Sequence, residues 1–446
     1  MDFHYPAGLY TDVRIEHVFE TRIRYTERNL EDCKEQRYSA AFIRVYDGAQ
    51  WYYASTSNLQ GIQGEIDALA KLAAPSDSLD ESPVYQRLIP HTDTALAFVG
   101  RELSSVPLEK KLALLQSAMP IAEQNEYVTL RKYIYIDSYK QQEFYSSKGA
   151  ALLFDRQRLG FAVSVHMAAG EKLMQTQYSK AGNVFPDLFG FAPELEAEIA
   201  DCEDFMLRSE PVEPGVYSVI FAPIVTGVFA HECFGHKSES DFMIGDETAR
   251  REWALGKRVG CEELSILDSG YILGNGYTPY DDEGNRAGLT YLIRNGILTG
   301  RLHNADSAAD LGEPVTGNGR AMSFEYEPVV RMTTTYIDKG SKRLEDLIAE
   351  TEDGIFVKSL HHGSGMSTFT IAPQYAFAVK NGKIGKPLRV SVVTGNVFEA
   401  LSNIDGISDT VEMFSFVTGG CGKMEQFPLP VGFGGPYIRV KNMNVQ

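Results

Sequence analysis

Cysteine is scarce in this chain of 446 residues, with only five at positions 33, 202, 233, 261 and 421. An odd and scattered set does not make a disulfide framework, so free thiols in a reducing cytoplasm are expected. Long hydrophobic runs are missing too. The longest largely apolar stretch, broken by Pro223 and Gly227, is about 14 residues, short of the roughly 20 that a membrane-spanning helix needs. The first residues, Met1 to Pro6, show no basic region followed by an apolar core, so no signal peptide is read. Positive charge is in deficit: 42 Lys and Arg stand against 60 Asp and Glu, a net charge of −18. With no Lys/Arg stripe either, a nucleic-acid surface is excluded, and the acidity is read as serving solubility. Internal repeats, low-complexity tracts and coiled-coil heptads are likewise absent.

What remains has the composition of an ordinary globular protein, 43% hydrophobic and 23% charged, and is long enough for two or three cores. The expected fold class is α+β. Polar–apolar alternation over residues 12–55 predicts about three antiparallel strands, with Asp47-Gly48 as a hairpin turn. Helical spacing follows at 59–72, through Ile62, Ile66, Leu69 and Leu72. Residues 74–95, rich in Pro, Ser and Asp, read as a loop. A second helix is expected over 107–124, strands over 127–139, 142–147 and 160–166, and a third helix over 192–209. Two prolines and a glycine in Glu210–Gly215 mark a boundary between an N-terminal mixed α/β-sheet domain, 1–210, and a second domain, 211–446. That second half is rich in glycine and short strands, with Asn295-Gly296 and Asn381-Gly382 as hairpin turns. It reads as a mostly antiparallel β domain wrapped around one buried helix.

That helix is the centre of the sequence. Val216–Phe221 reads as a buried strand, and Pro223 suits a first helical turn because its missing N–H costs nothing there. Ile224, Val225, Val228, Phe229 and Phe234 then give a helix that is apolar on most sides. Into it are set His231, Glu232 and His236, groups expensive to bury unless they bind something such as a divalent metal. In a His-Glu-x-x-His helix the imidazoles lie four residues apart, about 40° around the axis; here they lie five apart, about 140° on an ideal α-helix. Either a π-type bulge widens the turn or the helix loosens at Gly235. Two ligands need a third, and Cys421, between Gly420 and Gly422, is one candidate among several Cys and His. Cys233, two residues past His231, faces away from it. His361-His362 lies on a glycine-rich loop as a candidate substrate contact or outer-shell partner. Asp241 is a candidate for orienting a ligand histidine through its second nitrogen.

The segment HECFGH, with Lys237-Ser238-Glu239-Ser240-Asp241 after it, resembles the His-Glu-x-x-x-His signature of the TldD/PmbA family of metallopeptidases. Further stretches resemble family segments in order: Asp281-Asp282-Glu283-Gly284, Leu292–Leu298 with Gly300-Arg301-Leu302-His303, Thr316–Arg320, Val393–Asn396 and Gly420–Lys423. They span about half the chain, from Pro214 onward. The resemblance implies one zinc per chain held by His231, His236 and Cys421, since the family's third ligand is a cysteine in a Gly-Cys-Gly-Lys context. Glu232 is then expected as the general base that activates water for peptide-bond hydrolysis, and His303, in a shared segment, as a site-lining residue. The resemblance further implies short or unfolded peptide substrates and a two-subunit assembly, either a homodimer or a heterodimer with a related family subunit. Two other readings stand beside it: a non-catalytic peptide-binding or scaffolding subunit, and a metal-dependent hydrolase of non-peptide amides or esters.

Overall fold

Four strands of unusual length set the architecture of the N-terminal half. In the computed structural model, which describes residues 3–446, the strands Tyr10–Thr26, Asn29–Tyr46, Val128–Ser146 and Ala151–Ala169 run 17 to 19 residues each. Three shorter strands complete a seven-stranded sheet. The sequence places a break near Tyr139; the structure has none, because Lys140, Gln141 and Gln142 stay paired with both neighbouring strands. The polar interruption there is not a turn, since the same two strands flank it on either side. Residues 74–95, expected to be a loop, contain the short helix Pro83–Arg87 and the strand Thr92–Ala95, which adds parallel to Ala151–Phe154.

Side chains alternate across a sheet, so each strand of this one presents two unlike faces. The face bearing Val13, Ile15, Ile43 and Val45 is covered by the helix Ile62–Ala70. Further along the same face, Ile23, Tyr133, Tyr135, Phe161 and Val163 lie under the helices Leu108–Glu123 and Ala192–Arg208. The opposite face carries Asp12, Arg14, Glu16 and Arg44 and is just as buried. It meets the second half of the chain. Arg44 forks onto Asp12, with contacts of 2.6 and 3.0 Å, and reaches Glu283 at 2.9 Å. Gln142 and Arg156 donate to Asp282 at 2.9 and 3.1 Å. The segment Asp281–Gly284 is therefore an ionic plug seated on the long sheet. Gly284 has φ +78, and a Cβ there would come within 2.5 Å of the Phe144 ring, so glycine is required.

In the second half, the strand Gly215–Phe221 lies inside an eight-stranded sheet, parallel to Asp353–Gly365 and antiparallel to Ile438–Val445. A separate six-stranded sheet includes Gly432–Gly435. The helix Pro223–Ala230 is wedged between these layers, with all its residues but Ile224 buried. A Cβ on Gly227 would stand 2.7 Å from the backbone nitrogen of Gly434, so the helix can approach this strand only through glycine. Both expected Asn-Gly turns are present, with positive φ at all four residues (50° and 76°, 51° and 71°). Among the described residues, no helix is long and apolar enough to cross a membrane.

Arg44 is the cation that the plug cannot lose. Arg44→Ala leaves Asp12 and Glu283 buried and uncompensated, and its unfolding free energy in urea is expected to fall by about 3–5 kcal/mol. A fall below about 1 kcal/mol would show that the plug does not hold the halves together.

Candidate metal centre

The helix begun at Pro223 changes its winding at His231. Residues His231–Gly235 form a π turn, closed by the His236 N–H donating to the His231 carbonyl five residues back. Of the two ways to reconcile the five-residue spacing, this is the bulge. The wider ring carries His236 back over His231, with ring centroids 5.1 Å apart and the planes at 79°. Gly235 fits the turn against Met332, whose sulfur a Cβ would strike.

Cys421 arrives from a distant hairpin, Cys421–Lys423 paired with Gln426–Leu429. Its Sγ lies 3.6 Å from His236 Nε2, and donor atoms of His231, His236 and Cys421 all fall within 4.8 Å of one another. Burial alone would push the Cys421 thiol up, but the two imidazoles outweigh it and bring the pKa to about 5. His236 moves the other way: burial acts to lower it, while Cys421 and Glu239 raise it to about 10. The site is thus electrostatically arranged around a thiolate. Among the described residues His231 Nδ1 is buried with no hydrogen-bond partner, so this imidazole is buried at a cost that a bound ion would help to offset. Two imidazoles and a thiolate are a donor set that suits zinc.

The residue orienting His236 is not the one expected. His236 Nδ1 bonds Glu239 Oε2 at 3.1 Å, and Glu239 is fully buried. Burial acts to raise its pKa, but His236 and Lys423 hold it below the usual carboxylate value. Lys423 Nζ stands 3.3 Å from Glu239 and bonds Asp241 at 2.6 Å. Asp241 therefore bonds neither His231 nor His236; it anchors the lysine that balances Glu239. The signal was present, because Glu239 follows His236 by three residues, one turn of the 3₁₀ segment His236–Ser238.

Glu232 is half-buried and borders a cavity of about 1070 Å³, whose wall also includes His361, His362, Thr418, Gly419 and Gly420. His361 and His362 thus line the cavity, from the strand Asp353–Gly365 instead of the expected loop. Cys233 points into the apolar core, as its position on the helix predicts. His303 does not line the cavity. It is 1% exposed, with Nδ1 2.9 Å from Ser240 Oγ and Nε2 2.9 Å from Glu313. Ser240, His303 and Glu313 have the connectivity of a hydrolytic triad. All three lie away from the cavity, and the Ser240 hydroxyl is occupied by the Leu302 carbonyl.

Against known proteins, two family models match: the PmbA/TldA metallopeptidase C-terminal domain over residues 214–446, and the PmbA/TldA metallopeptidase domain 1 over residues 11–74. A metalloprotease of Synechocystis sp. is 29% identical, over 98% of this chain and 94% of its own length. A zinc metalloprotease TldD homolog of Saccharolobus solfataricus is 28% identical, over 98% of this chain and 96% of its own. The crystal structure of TldE from Thermococcus kodakarensis shares the fold, with a TM-score of 0.74 at 15% identity over 98% of this chain and 96% of that one. The C-terminal match takes in the whole π-turn site and more than half of the sequence, and the chain belongs to the PmbA/TldA metallopeptidase family.

Proposed function

We propose that this chain is a zinc-dependent metallopeptidase that cleaves short or unfolded peptides, with Glu232 as its general base. The observation that carries the reading is the convergence of His231, His236 and Cys421 within 4.8 Å, one residue from a carboxylate that borders a large cavity. The three converging side chains hold the ion, which when bound supplies Lewis acidity that polarises a carbonyl and acidifies water. Glu232 takes a proton from the attacking water as its oxygen bonds the peptide carbonyl carbon. It delivers that proton to the amide nitrogen as the C–N bond breaks, so one water is consumed and an acid and an amine are released. Glu239 fixes the tautomer and ring plane of His236, and Lys423 and Asp241 hold Glu239 in turn.

The cavity supports a peptide as the substrate. Met413, Phe414 and Ser415 line it from the strand Glu412–Ser415, which ends its sheet and, among the described residues, pairs only with Gly432–Gly435. An extended peptide finds unpaired backbone N–H and C=O groups there, which bind main chain whatever its side chains. The five cysteines are all free, which supports a reducing, cytoplasmic setting. A two-subunit assembly, with a second copy or a related subunit, completes the proposal.

Glu232→Gln is expected to keep its metal and lose peptidase activity by about 10²–10⁴-fold. Activity near wild type, measured on an unstructured peptide by mass spectrometry, would remove Glu232 from the mechanism. Cys421→Ser should lose most bound zinc by elemental analysis. Glu239→Gln should bind zinc about 10–100-fold more weakly in a chelator competition, with Asp241→Asn less affected. Equal affinities for Glu239→Gln and wild type would contradict the orienting role.

A further inference from the structure

Far along the same cavity from Glu232 lies its other carboxylate, Glu198, on the helix Ala192–Arg208. Its surroundings are ordered in one direction. Ser359 Oγ donates to Gln374 Oε1 at 3.4 Å, Gln374 Nε2 donates to Thr176 Oγ1 at 2.6 Å, and the Thr176 hydroxyl donates to Glu198 Oε1. From behind, the Tyr375 hydroxyl donates to the same oxygen at 2.8 Å. Every proton in the chain is aimed at Glu198, so the network is built for a negative charge. Oε2 takes part in none of these bonds.

Among the described residues no cation forms an ion pair with that charge; Lys358 acts on it only at a distance. The nearby lysines are committed elsewhere, Lys358 to Asp201 and Lys180 to Glu194 at 2.9 Å. Burial, with Asp201 beside it, holds the Glu198 pKa above the usual carboxylate value, and the two hydroxyls and Lys358 act only partly against this by stabilising the anion. An anion that is half-desolvated, hydrogen-bonded only by neutral groups and open to a cavity is a site for an incoming positive charge.

The strand Asp353–Gly365 relates this site to the proposed chemistry. Ser359, next to the Glu198 network, pairs with Tyr375, whereas a Cβ at Gly363 would lie 3.8 Å from Glu232 Cγ. Four residue steps separate the two levels through an irregular stretch of the strand, at most about 13 Å at about 3.3 Å per residue. An extended peptide of a few residues spans that distance.

We infer that Glu198 is a cation subsite of the substrate channel, which anchors an ammonium or guanidinium of the peptide while the chain extends toward Glu232. The inference rests on the peptidase reading for its purpose, but not for its test. The cation is either the peptide's own α-ammonium or a Lys or Arg side chain, and three peptides of one sequence separate these: free at the N-terminus, acetylated, and acetylated with lysine as the first residue. Their binding is measured by calorimetry to Glu232→Gln protein, where hydrolysis does not interfere, with and without Glu198→Gln. The free or the lysine peptide should bind about tenfold tighter than the plain acetylated one, the scale of one charge-assisted contact. Glu198→Gln should bring that ratio to about one. Glu196→Gln, exposed on the same helix, should leave the ratio intact. Equal binding of all three peptides, or a preference that survives Glu198→Gln, would overturn the subsite. Turnover of the same peptides by protein with native Glu232 reports separately on the peptidase reading: no cleavage of any of them would defeat that reading while leaving the binding result to stand alone.

Discussion

Two imidazoles five residues apart reach a common point only if the helix between them widens, and the rest of this molecule is arranged to keep it wide. The π turn His231–Gly235 ends on the i to i+5 hydrogen bond from His236 to His231, a winding that is rare. Tertiary contact sustains it. Met332 occupies the space a side chain at Gly235 would take, and Gly227 lets the preceding turns lie against Gly434. Around the helix, the two large sheets of the second half bury Phe229, Phe234 and their neighbours in one continuous apolar core. A distorted helix in such a setting is held by its surroundings, and the geometry of the donor cluster follows from that.

The N-terminal half contributes by its length and by its charged face. Strands of up to 19 residues reach past the ionic plug at Asp281–Gly284 and extend to the cavity, where Thr176 and Gly182 of the strand Lys172–Gly182 form part of the wall. The cavity is thus made by both halves, and the buried pairs of Arg44 and Arg156 bear on its shape as well as on stability. Glu198 and Tyr375 illustrate the joint construction: the carboxylate comes from the first half and the hydroxyl that holds it from the second.

Much of this was legible in the residues themselves. The strand-to-helix passage Val216–Phe234, the Asn-Gly turns and the α+β division rest on local chemistry, and local chemistry is what a sequence displays. The candidate donors were legible for a different reason: His231, Glu232 and His236 are too costly to bury without a partner. What escaped was set by tertiary pairing. Continuous pairing on both sides overrode the polar residues at 140–142, and a parallel strand hid within Pro- and Ser-rich residues 74–95. Asp241 and Glu239 are equivalent in type, and only the direction of His236 Nδ1 distinguishes them. His303 looked like a site residue because its segment resembles the family's, yet its role is to knit Ser240 to Glu313 in the interior. Glu198 had no motif at all; its meaning comes from four residues on other strands.

The central claim is that two nitrogens and one sulfur of this chain hold a single zinc. X-ray absorption at the zinc edge, on protein purified without chelator or affinity tag, tests it most directly. The account predicts one shell with sulfur at about 2.3 Å and nitrogen at about 2.0–2.1 Å, with the sulfur contribution lost in Cys421→Ser. A shell of oxygen and nitrogen alone in the wild-type protein would contradict it, because Cys421 would then lie outside the coordination sphere.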